Sequence, residues 1–261
     1  MNLIVDIGNT SIKIAVVEND IIIESFRCDN SNVNNLFEKI IDKYNGINQA
    51  IVSSVGANDI AIYELLRKHV TITLELTYST PLPIENLYDT PQTLGLDRIA
   101  AAIGANRLFP SSNLLIVDLG TAITFDIVNE QNQYVGGNIS PGIAIRFKAL
   151  HAFTTKLPHI TTEEAFEFNS YLHDISDIQN ITIGKTTKSA ITFGVLSSVL
   201  FEINGYIAYC DERLKNLQII LTGGDAFFFD RKLKKTNFAD SDLVIRGLNA
   251  ILEYNVDTQN I

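Results

Sequence analysis

The chain has 261 residues, of which 46% are hydrophobic and 19% are charged, and its formal net charge is −10. This balance is that of a folded globular protein with room for two lobes, so it excludes long disordered segments. The acidic charge disfavours a nucleic-acid partner, which binds basic surfaces, but it leaves ATP possible because backbone amides, one lysine and a divalent ion can meet a nucleotide's charge.

The positions of the cysteines, histidines and apolar runs disfavour further classes of protein and of site. Cys28 and Cys210 are isolated in the sequence, so they are predicted to be reduced, packed thiols. The histidines show neither HxxxH nor HExxH spacing, which disfavours a histidine metal site. The longest apolar runs are too short to span a bilayer, and the N-terminus opens on a strand-like run without a secretory signal. We therefore expect a cytoplasmic protein with no membrane partner.

The first predicted elements form an antiparallel meander of three strands. A buried-strand run at residues 3–5 stops at residues 6–10, Asp-Ile-Gly-Asn-Thr. Apolar alternation resumes over residues 12–16, and a polar turn at residues 18–20 leads into the run at residues 21–23. Short runs separated by turn residues are typical of strand, turn, strand, turn, strand.

Helix and strand signals alternate over the next segment. The region of Pro81 and Pro83 is predicted to be a loop and to join two lobes. Before it, in chain order, we predict a helix at 36–44, a strand at 50–55, a helix at 60–69 and a β-rich stretch at 70–76.

The meander pattern returns in the second half of the chain. A strand run at residues 115–117 leads into residues 118–122, Asp-Leu-Gly-Thr-Ala, and a second strand at 123–128. Aligning Asp6 with Asp118 matches the apolar run, the acid, the glycine and a nearby threonine. This self-similarity indicates a duplicated unit. It predicts two similar lobes, at residues 1–112 and 113–261, with a site between them.

The remaining elements are predicted from periodicity and turn signals. Residues 184–186, Gly-Lys-Thr, look like the end of a Walker P-loop. Gln179 stands where that motif needs a glycine, and no convincing strand precedes it, so we reject the P-loop. The other predictions are helices at 143–150, 191–209 and 243–254, and a strand at 217–221 that runs into Thr222-Gly223-Gly224-Asp225.

The two Asp-x-Gly turns indicate phosphate chemistry. Glycine lets the backbone approach a ligand closely and leaves amide hydrogens pointing outward. A carboxylate at a strand tip can hold a cation beside phosphates. One such turn alone is more often a solvated turn. Two equivalent turns, with a third glycine turn at Gly223-Gly224, favour three loops around a nucleotide.

Asp97 is the candidate for the acid that activates or orients the phosphoryl acceptor. It stands in Gly95-Leu96-Asp97-Arg98, where a helix is predicted to start and to run through residues 99–102. The same position is typical of a helix cap, with Arg98 as its partner. Residue spacing alone leaves both roles open.

Six motifs, in order from residue 6 to residue 225, resemble those of type III pantothenate kinases, a family of the actin-like ATPase superfamily. The Gly-x-Asp-Arg motif at residues 95–98 is the most specific, because related sugar kinases and chaperones lack it at this point. The motifs are residues 6–10 with Lys13, 95–98, 118–126, 136–142, 184–187 and 222–226.

The resemblance implies a fold and a reaction. The implied fold is α/β, with two ribonuclease-H-like lobes of mixed sheets flanked by helices and the site in the cleft between them. The implied reaction transfers the γ-phosphate of ATP to pantothenate, giving 4'-phosphopantothenate, the first step of coenzyme A synthesis. Members are homodimers that use Mg²⁺ and a monovalent cation, K⁺ or NH₄⁺.

The resemblance also implies a role for each site residue. Asp97 matches the general base, Asp118 matches the position that binds the monovalent cation, and Asp6 is the candidate for Mg²⁺. The positions that match ATP contacts are Asp6, Gly8, Asn9, Thr10, Lys13, Thr121, Gly223 and Gly224. The positions that match pantothenate contacts are Tyr88, Gly95, Leu96, Asp97, Arg98 and Thr187.

Two other functions remain open at this point. One is a regulator that keeps the fold without catalysis, since a nucleotide sensor needs no Asp97; the intact Gly-x-Asp-Arg disfavours it. The other is a sugar or acyl kinase of the same superfamily. That alternative gives residues 184–187 no role.

Overall fold

The computed structural model describes residues 1–8, 11–29, 32–54, 60–168, 183–230, 232–233, 235–236 and 238–258. The strands, in chain order, are β1 (Asn2–Ile7), β2 (Ile12–Glu18), β3 (Ile21–Cys28), β4 (Gln49–Ser54), β5 (Ile72–Glu75), β6 (Glu85–Asn86), β7 (Leu114–Leu119), β8 (Ala122–Val128), β9 (Gln133–Pro141), β10 (Gln218–Thr222) and β11 (Phe238–Ala239). The α-helices are α1 (Val33–Lys43), α2 (Ile60–His69), α3 (Leu96–Leu108), α4 (Ile143–Ala152), α5 (Thr162–Phe168), α6 (Thr187–Asp211), α7 (Ala226–Asp230) and α8 (Leu243–Asp257). These bounds confirm the predicted strands and helices to within a few residues.

The chain divides into two compact units whose bounds differ from those of the predicted lobes. Unit 1 comprises Met1–Pro110, Asn132–Tyr134 and Asp242–Ile261, and unit 2 comprises Ser111–Gln131 and Val135–Ser241. The change of unit after Pro110 lies close to the predicted boundary at 112. The C-terminal helix α8 nevertheless belongs to unit 1, because it packs on α3.

The junction expected at Pro81 and Pro83 is wrong. Both prolines lie inside unit 1. The segment is tied to α8 there, because the side-chain amide of Asn255 donates a hydrogen bond to the Pro81 carbonyl at 3.0 Å. Proline and turn residues mark a loop equally well inside a unit and between units.

The two sheets have the same strand order, which confirms the predicted duplication. Unit 1 has the order β3-β2-β1-β4-β5, and the unit 2 strands have the order β9-β8-β7-β10-β11. In both units the first two strands are antiparallel, and the first strand of the repeat pairs in parallel with a later strand, β4 or β10. The short β6 pairs with Gln133 and Tyr134 of β9, which are residues of unit 1.

The two faces of the unit 1 sheet pack against different helices. Leu3, Val5 and Ile7 of β1 pack into an apolar cluster with Phe37 of α1 and Leu66 of α2. Alternation along a strand sends the residues in between to the opposite face. That face meets α8, where the Asn2 side-chain amide donates to Asn249 at 2.8 Å. Asp6 therefore points to the side of the sheet covered by α3 and α8.

Two glycines let α3 and α8 cross with their backbones in contact. A Cβ placed on Gly247 would lie 1.7 Å from the Ala100 carbonyl oxygen, and one on Gly104 would lie 2.2 Å from the Leu243 carbonyl oxygen. Real Cβ atoms do not come so close to backbone, so any side chain here would push the helices apart. This crossing fixes the start of α8 relative to the start of α3.

The core of unit 2 is built on α6. Among the described residues, α6 is the one helix long and apolar enough to cross a membrane by length and composition. More than half of its most apolar window, 56%, is buried inside the protein. Its buried residues pack with β7, β10 and α4 in one cluster, which is the pattern of a central core helix.

We expect Gly247→Ala to lower the melting temperature by at least about 5 °C, because overpacking a helix crossing costs roughly 1–3 kcal/mol. The matched control is Gly205→Ala in α6, where an added Cβ meets nothing within 4 Å. That control should leave the melting temperature unchanged or raise it slightly, since alanine is the better helix former. Thermal unfolding followed by circular dichroism compares the two, and equal melting temperatures would contradict the proposed role of the crossing.

Candidate active site

Unit 1 brings two predicted site residues, Asp6 and Lys13, to the α3/α8 face of its sheet. Asp6 lies near the end of β1, paired in register with Lys13 on β2 and with Ser53 on β4. Cross-strand partners point to the same face, so the carboxylate, the ammonium and the hydroxyl are neighbours. The Ser53 hydroxyl is buried and has no hydrogen-bond partner among the described residues. Sequence reasoning missed Ser53, because a serine at the end of a strand carries no signal of its own.

The carboxyl of Asp6 is held in an unfavourable environment. Burial, as the largest cause, and the negative charge of Asp97 raise its pKa to about 6, although Lys13 opposes both effects. The influence of Asp97 places the two acids close together within unit 1. Two neighbouring carboxylates favour a cation or a cation-bound ligand between them.

The first turn of α3 presents Asp97 to solvent. The helix N-cap is Gly95 and has no side-chain cap hydrogen bond, while Asp97 accepts a hydrogen bond from the Arg98 amide at 2.8 Å. Asp97 is thus not the N-cap residue, although its carboxylate still satisfies an amide of the first turn. A Cβ on Gly95 would lie 2.5 Å from the Asp97 carboxylate. Gly95 therefore keeps open the space that this carboxylate occupies.

Arg98 is buried, with 7% of its surface exposed, at the same helix start. Leu96 begins the helix and is half-buried. Tyr88 lies before this helix, half-buried in unit 1, with its ring 6.2 Å from that of the buried Tyr134. The segment from residue 88 to residue 98 thus supplies an aromatic ring, a carboxylate and a guanidinium within one unit.

The turn after β1 uses the Gly8 amide internally. Gly8 donates its N–H to the Ser11 carbonyl at 3.2 Å. In unit 2 the equivalent Gly120 donates to the Ala122 carbonyl at 3.1 Å. The expectation that amides of these turns point outward is therefore wrong for both glycines, because their N–H groups close the turns. The predicted contacts Asn9 and Thr10 lie outside the described residues.

Unit 2 gathers its predicted residues around Asp118, near the end of β7. A Cβ on Gly223 would lie 2.4 Å from the Asp118 carboxylate, and one on Gly120 would lie 3.4 Å from it. Gly223 also has a φ of +93°, a conformation that favours glycine. The absence of a side chain at Gly223 therefore lets the glycine turn pack directly against this carboxylate. Gly224 follows as an exposed residue with open space at its Cβ position.

The loop that carries Thr121 rests on Gly142, which the sequence analysis included in a motif without a role. Gly142 donates its N–H to the Thr121 carbonyl at 3.1 Å, and a Cβ there would lie 2.3 Å from the same oxygen. Arg146 fixes the preceding residues, since its guanidinium donates to the Pro141 carbonyl at 2.8 Å and to the Ser140 hydroxyl at 2.7 Å. Arg146 in turn pairs with Glu202 of α6.

Asp225 ends the glycine turn after β10. Burial, as the larger cause, and the charge of Glu163 together raise its pKa to about 6. Its amide donates to the Leu119 carbonyl at 3.1 Å, which ties the turn to the end of β7. The sequence analysis assigned Asp225 no role, although its motif contains it.

Residues 184–187 lead into α6 and have two separate tasks. A Cβ on Gly184 would lie 2.2 Å from the Ala190 amide nitrogen, so this residue packs directly on the helix. Thr186 is the N-cap and forms a capping box with Ser189. Thr187 is exposed and lines a groove of about 1160 Å³ between α4 and α6. The structure thus gives Thr186 a cap and leaves Thr187 available to a ligand.

The number of carboxylates that come together in the described part of the chain bears on the kind of cation that could bind there. No group of three or more histidine, cysteine, aspartate or glutamate side chains among the described residues could hold a metal ion. Mg²⁺ in kinases is bound by one or two carboxylates together with phosphates and water, so Asp6 suits it.

Comparisons with known proteins identify relatives over almost the whole chain. A family model described as type III pantothenate kinase matches residues 2–209. A type III pantothenate kinase of Phocaeicola vulgatus is 41% identical over 255 residues, which cover 98% of this chain and 99% of the relative.

Solved structures share the fold at low identity. The activator of the 2-hydroxyisocaproyl-CoA dehydratase from Clostridium difficile has a TM-score of 0.59 and 15% identity, covering 100% of this chain and 97% of that one. A ROK hexokinase from Thermus thermophilus has a TM-score of 0.54 and 11% identity, covering 97% and 98%. These neighbours confirm the predicted α/β fold.

We expect Asp6→Asn to stabilise the protein at neutral pH. Because the folded-state pKa of Asp6 is raised to about 6, the folded state holds a proton that the unfolded state releases, so stability falls as pH rises from about 4 to about 6. Because asparagine does not ionise, the variant does not lose this stability as pH rises. The variant should melt about 6–10 °C above the wild type at pH 7.5 and match it below about pH 4.

Melting curves of both proteins from pH 3.5 to pH 7.5 test this expectation. Asp42→Asn is the control, since Asp42 is exposed on α1. A stabilisation by Asp6→Asn that stays constant over the whole pH range would contradict the assigned cause.

Proposed function

This chain belongs to the type III pantothenate kinase family, and we propose that it transfers the γ-phosphoryl group of ATP to the primary hydroxyl of pantothenate, the first step of coenzyme A synthesis. The observation that carries the proposal is the grouping in unit 1 of Asp6 and Lys13 on the sheet with Asp97 at the start of α3. A carboxylate for a cation, an ammonium for phosphate and an exposed acid are the parts that phosphoryl transfer needs.

Lys13 and the strand-tip turns are proposed to hold the ATP phosphates. Lys13 supplies positive charge in register with Asp6, and Thr121 with the Gly223-Gly224 turn supplies polar backbone in unit 2. Asn9 and Thr10 are assigned to the same task on the family resemblance alone. Mg²⁺, when bound at Asp6, would offset the charge of the phosphates. The raised pKa of Asp6 supports this assignment, because a cation stabilises a buried carboxylate.

Asp97 is proposed to act as the general base. Its carboxylate accepts the proton of the pantothenate hydroxyl while that oxygen forms a bond to the γ-phosphorus and the bond from phosphorus to the bridging oxygen of ADP breaks. The exposure of Asp97 and the space kept by Gly95 support this role. The buried Arg98 is proposed to bind the pantothenate carboxylate, because a guanidinium matches a carboxylate with two hydrogen bonds. Tyr88, Leu96 and Thr187 complete the proposed substrate set.

Several finer assignments extend the proposal. Asp118 is proposed to bind K⁺ or NH₄⁺ on the family resemblance alone. The active form is proposed to be a cytoplasmic homodimer, as in the family. The net charge of −10 makes binding to nucleic acid an unattractive alternative function.

The proposed function is tested by coupled ADP release with purified protein, ATP, Mg²⁺ and pantothenate, with and without K⁺. We expect turnover that requires pantothenate and rises with K⁺. A simple sugar in place of pantothenate is the control for the sugar-kinase alternative. ADP release that ignores pantothenate, in protein with a normal melting curve, would refute the substrate assignment.

Asp97→Asn should lower kcat about 100-fold or more, as for loss of a general base, and leave the KM values for ATP and pantothenate nearly unchanged. The amide keeps the size of the carboxylate and can still accept the hydrogen bond from the Arg98 amide. Asp42→Asn, remote on α1, is the matched control and should keep wild-type kcat. Near-normal kcat in Asp97→Asn would remove the general-base assignment.

A further inference from the structure

Lys13 has an ion-pair partner on α8, far away in the sequence. Its ammonium lies 2.8 Å from the Asp242 carboxylate, and the two side chains are 16% and 27% exposed. The matching family model ends at residue 209, so Asp242 lies beyond the segment that it covers. Both residues belong to unit 1.

Asp242 stands at a helix N-cap without using its side chain as a cap. It is the N-cap residue of α8, yet it makes no side-chain cap hydrogen bond. Aspartate at this position normally accepts a hydrogen bond from an amide of the first turn. The carboxylate instead contacts Lys13, so the stability that a cap would give is replaced by an ion pair with a site residue.

The charge of Lys13 also acts on a second acidic residue. Asp6 is its cross-strand partner, and the charge of Lys13 acts on the Asp6 carboxyl. A lysine side chain has four flexible carbons and can follow either acid. A firm pair with Asp242 fixes the ammonium on the α8 side, which leaves the Asp6 carboxylate able to bind a cation.

The helix crossing fixes the position of Asp242 relative to α3. Leu243, next to Asp242, has its carbonyl against Gly104 of α3, and Gly247 one turn later lies against Ala100. The same helix α3 carries Asp97 in its first turn. The ammonium of Lys13 is thus tied to the element that also fixes the proposed base.

We propose that Asp242 is a positioning residue that holds the Lys13 ammonium for the phosphates of ATP. The inference rests on the proposed function, because it assumes that Lys13 contacts phosphate. Asp242 does not touch substrate itself. It acts through Lys13, so its loss should affect ATP binding more than pantothenate binding.

The test is a double-mutant cycle in the full chain with Asp242→Asn, Lys13→Ala and both together. Asp242→Asn should raise KM for ATP by about 10-fold, within the range that a misplaced group costs, and change KM for pantothenate less than about 2-fold. The double variant should be no worse than Lys13→Ala, since Asp242 has no target without the lysine. Asp242→Glu should recover part of the loss.

Glu253→Gln on the same helix is the matched control. Glu253 pairs with Arg107 at 3.3 Å and is 28% exposed, close to the exposure of Asp242. It should keep wild-type KM for ATP. Asp242→Ser serves as a second variant if Asp242→Asn folds poorly, because serine can cap the helix without the charge.

The outcomes separate the inference from the proposed function. A defect in Lys13→Ala with a normal KM for ATP in Asp242→Asn would overturn the inference and leave the proposed function intact. Additive losses in the double variant, or equal losses in both KM values, would reduce Asp242 to a structural residue and overturn the inference as well. A normal KM for ATP in Lys13→Ala would refute the phosphate role of Lys13 and the inference with it, while pantothenate-dependent turnover would still uphold the reaction.

Discussion

The backbone contact between α3 and α8 is the constraint on which the arrangement in unit 1 depends. Gly104 and Gly247 allow the two helices to touch where any side chain would force them apart. Because α3 begins at the Gly-x-Asp-Arg segment and α8 begins next to Asp242, this one crossing sets the distance between the two helix starts. The sheet supplies the third side, since strand alternation sends Asp6 and Lys13 to the face that these helices cover.

An acidic site of this kind is held together at an electrostatic cost. Burial and the neighbouring Asp97 oppose ionisation of Asp6, and only part of that effect is offset by Lys13. Carboxyl groups with raised pKa values are common at sites where charged groups serve to bind a ligand and do not stabilise the fold. The free chain therefore holds Asp6 in an environment that a bound cation would improve.

Much of this structure could be predicted from the sequence, because the signals were local. The duplicated Asp-x-Gly turns, the strand runs and the helices of both units follow from periodicity and turn residues, and the resemblance identified the family. The roles of Gly142 and Gly247 could not be predicted, since each depends on which distant backbone lies against it. The placement of α8 in unit 1 and the pairing of Asp242 with Lys13 could not be predicted from the sequence for the same reason. Contacts between residues that are distant in the chain, such as Lys13 and Asp242, leave no pattern in a single sequence.

The duplication is topological, and the two copies differ in the chemistry of matched positions. Lys13 is the register partner of Asp6, whereas Thr124 is the register partner of Asp118 and donates to Asp126 at 3.0 Å. Unit 1 thus has a built-in positive charge beside its strand-tip carboxylate, and unit 2 has a neutral hydroxyl at the same place. The matched register positions of the two copies are therefore equivalent in backbone and different in charge.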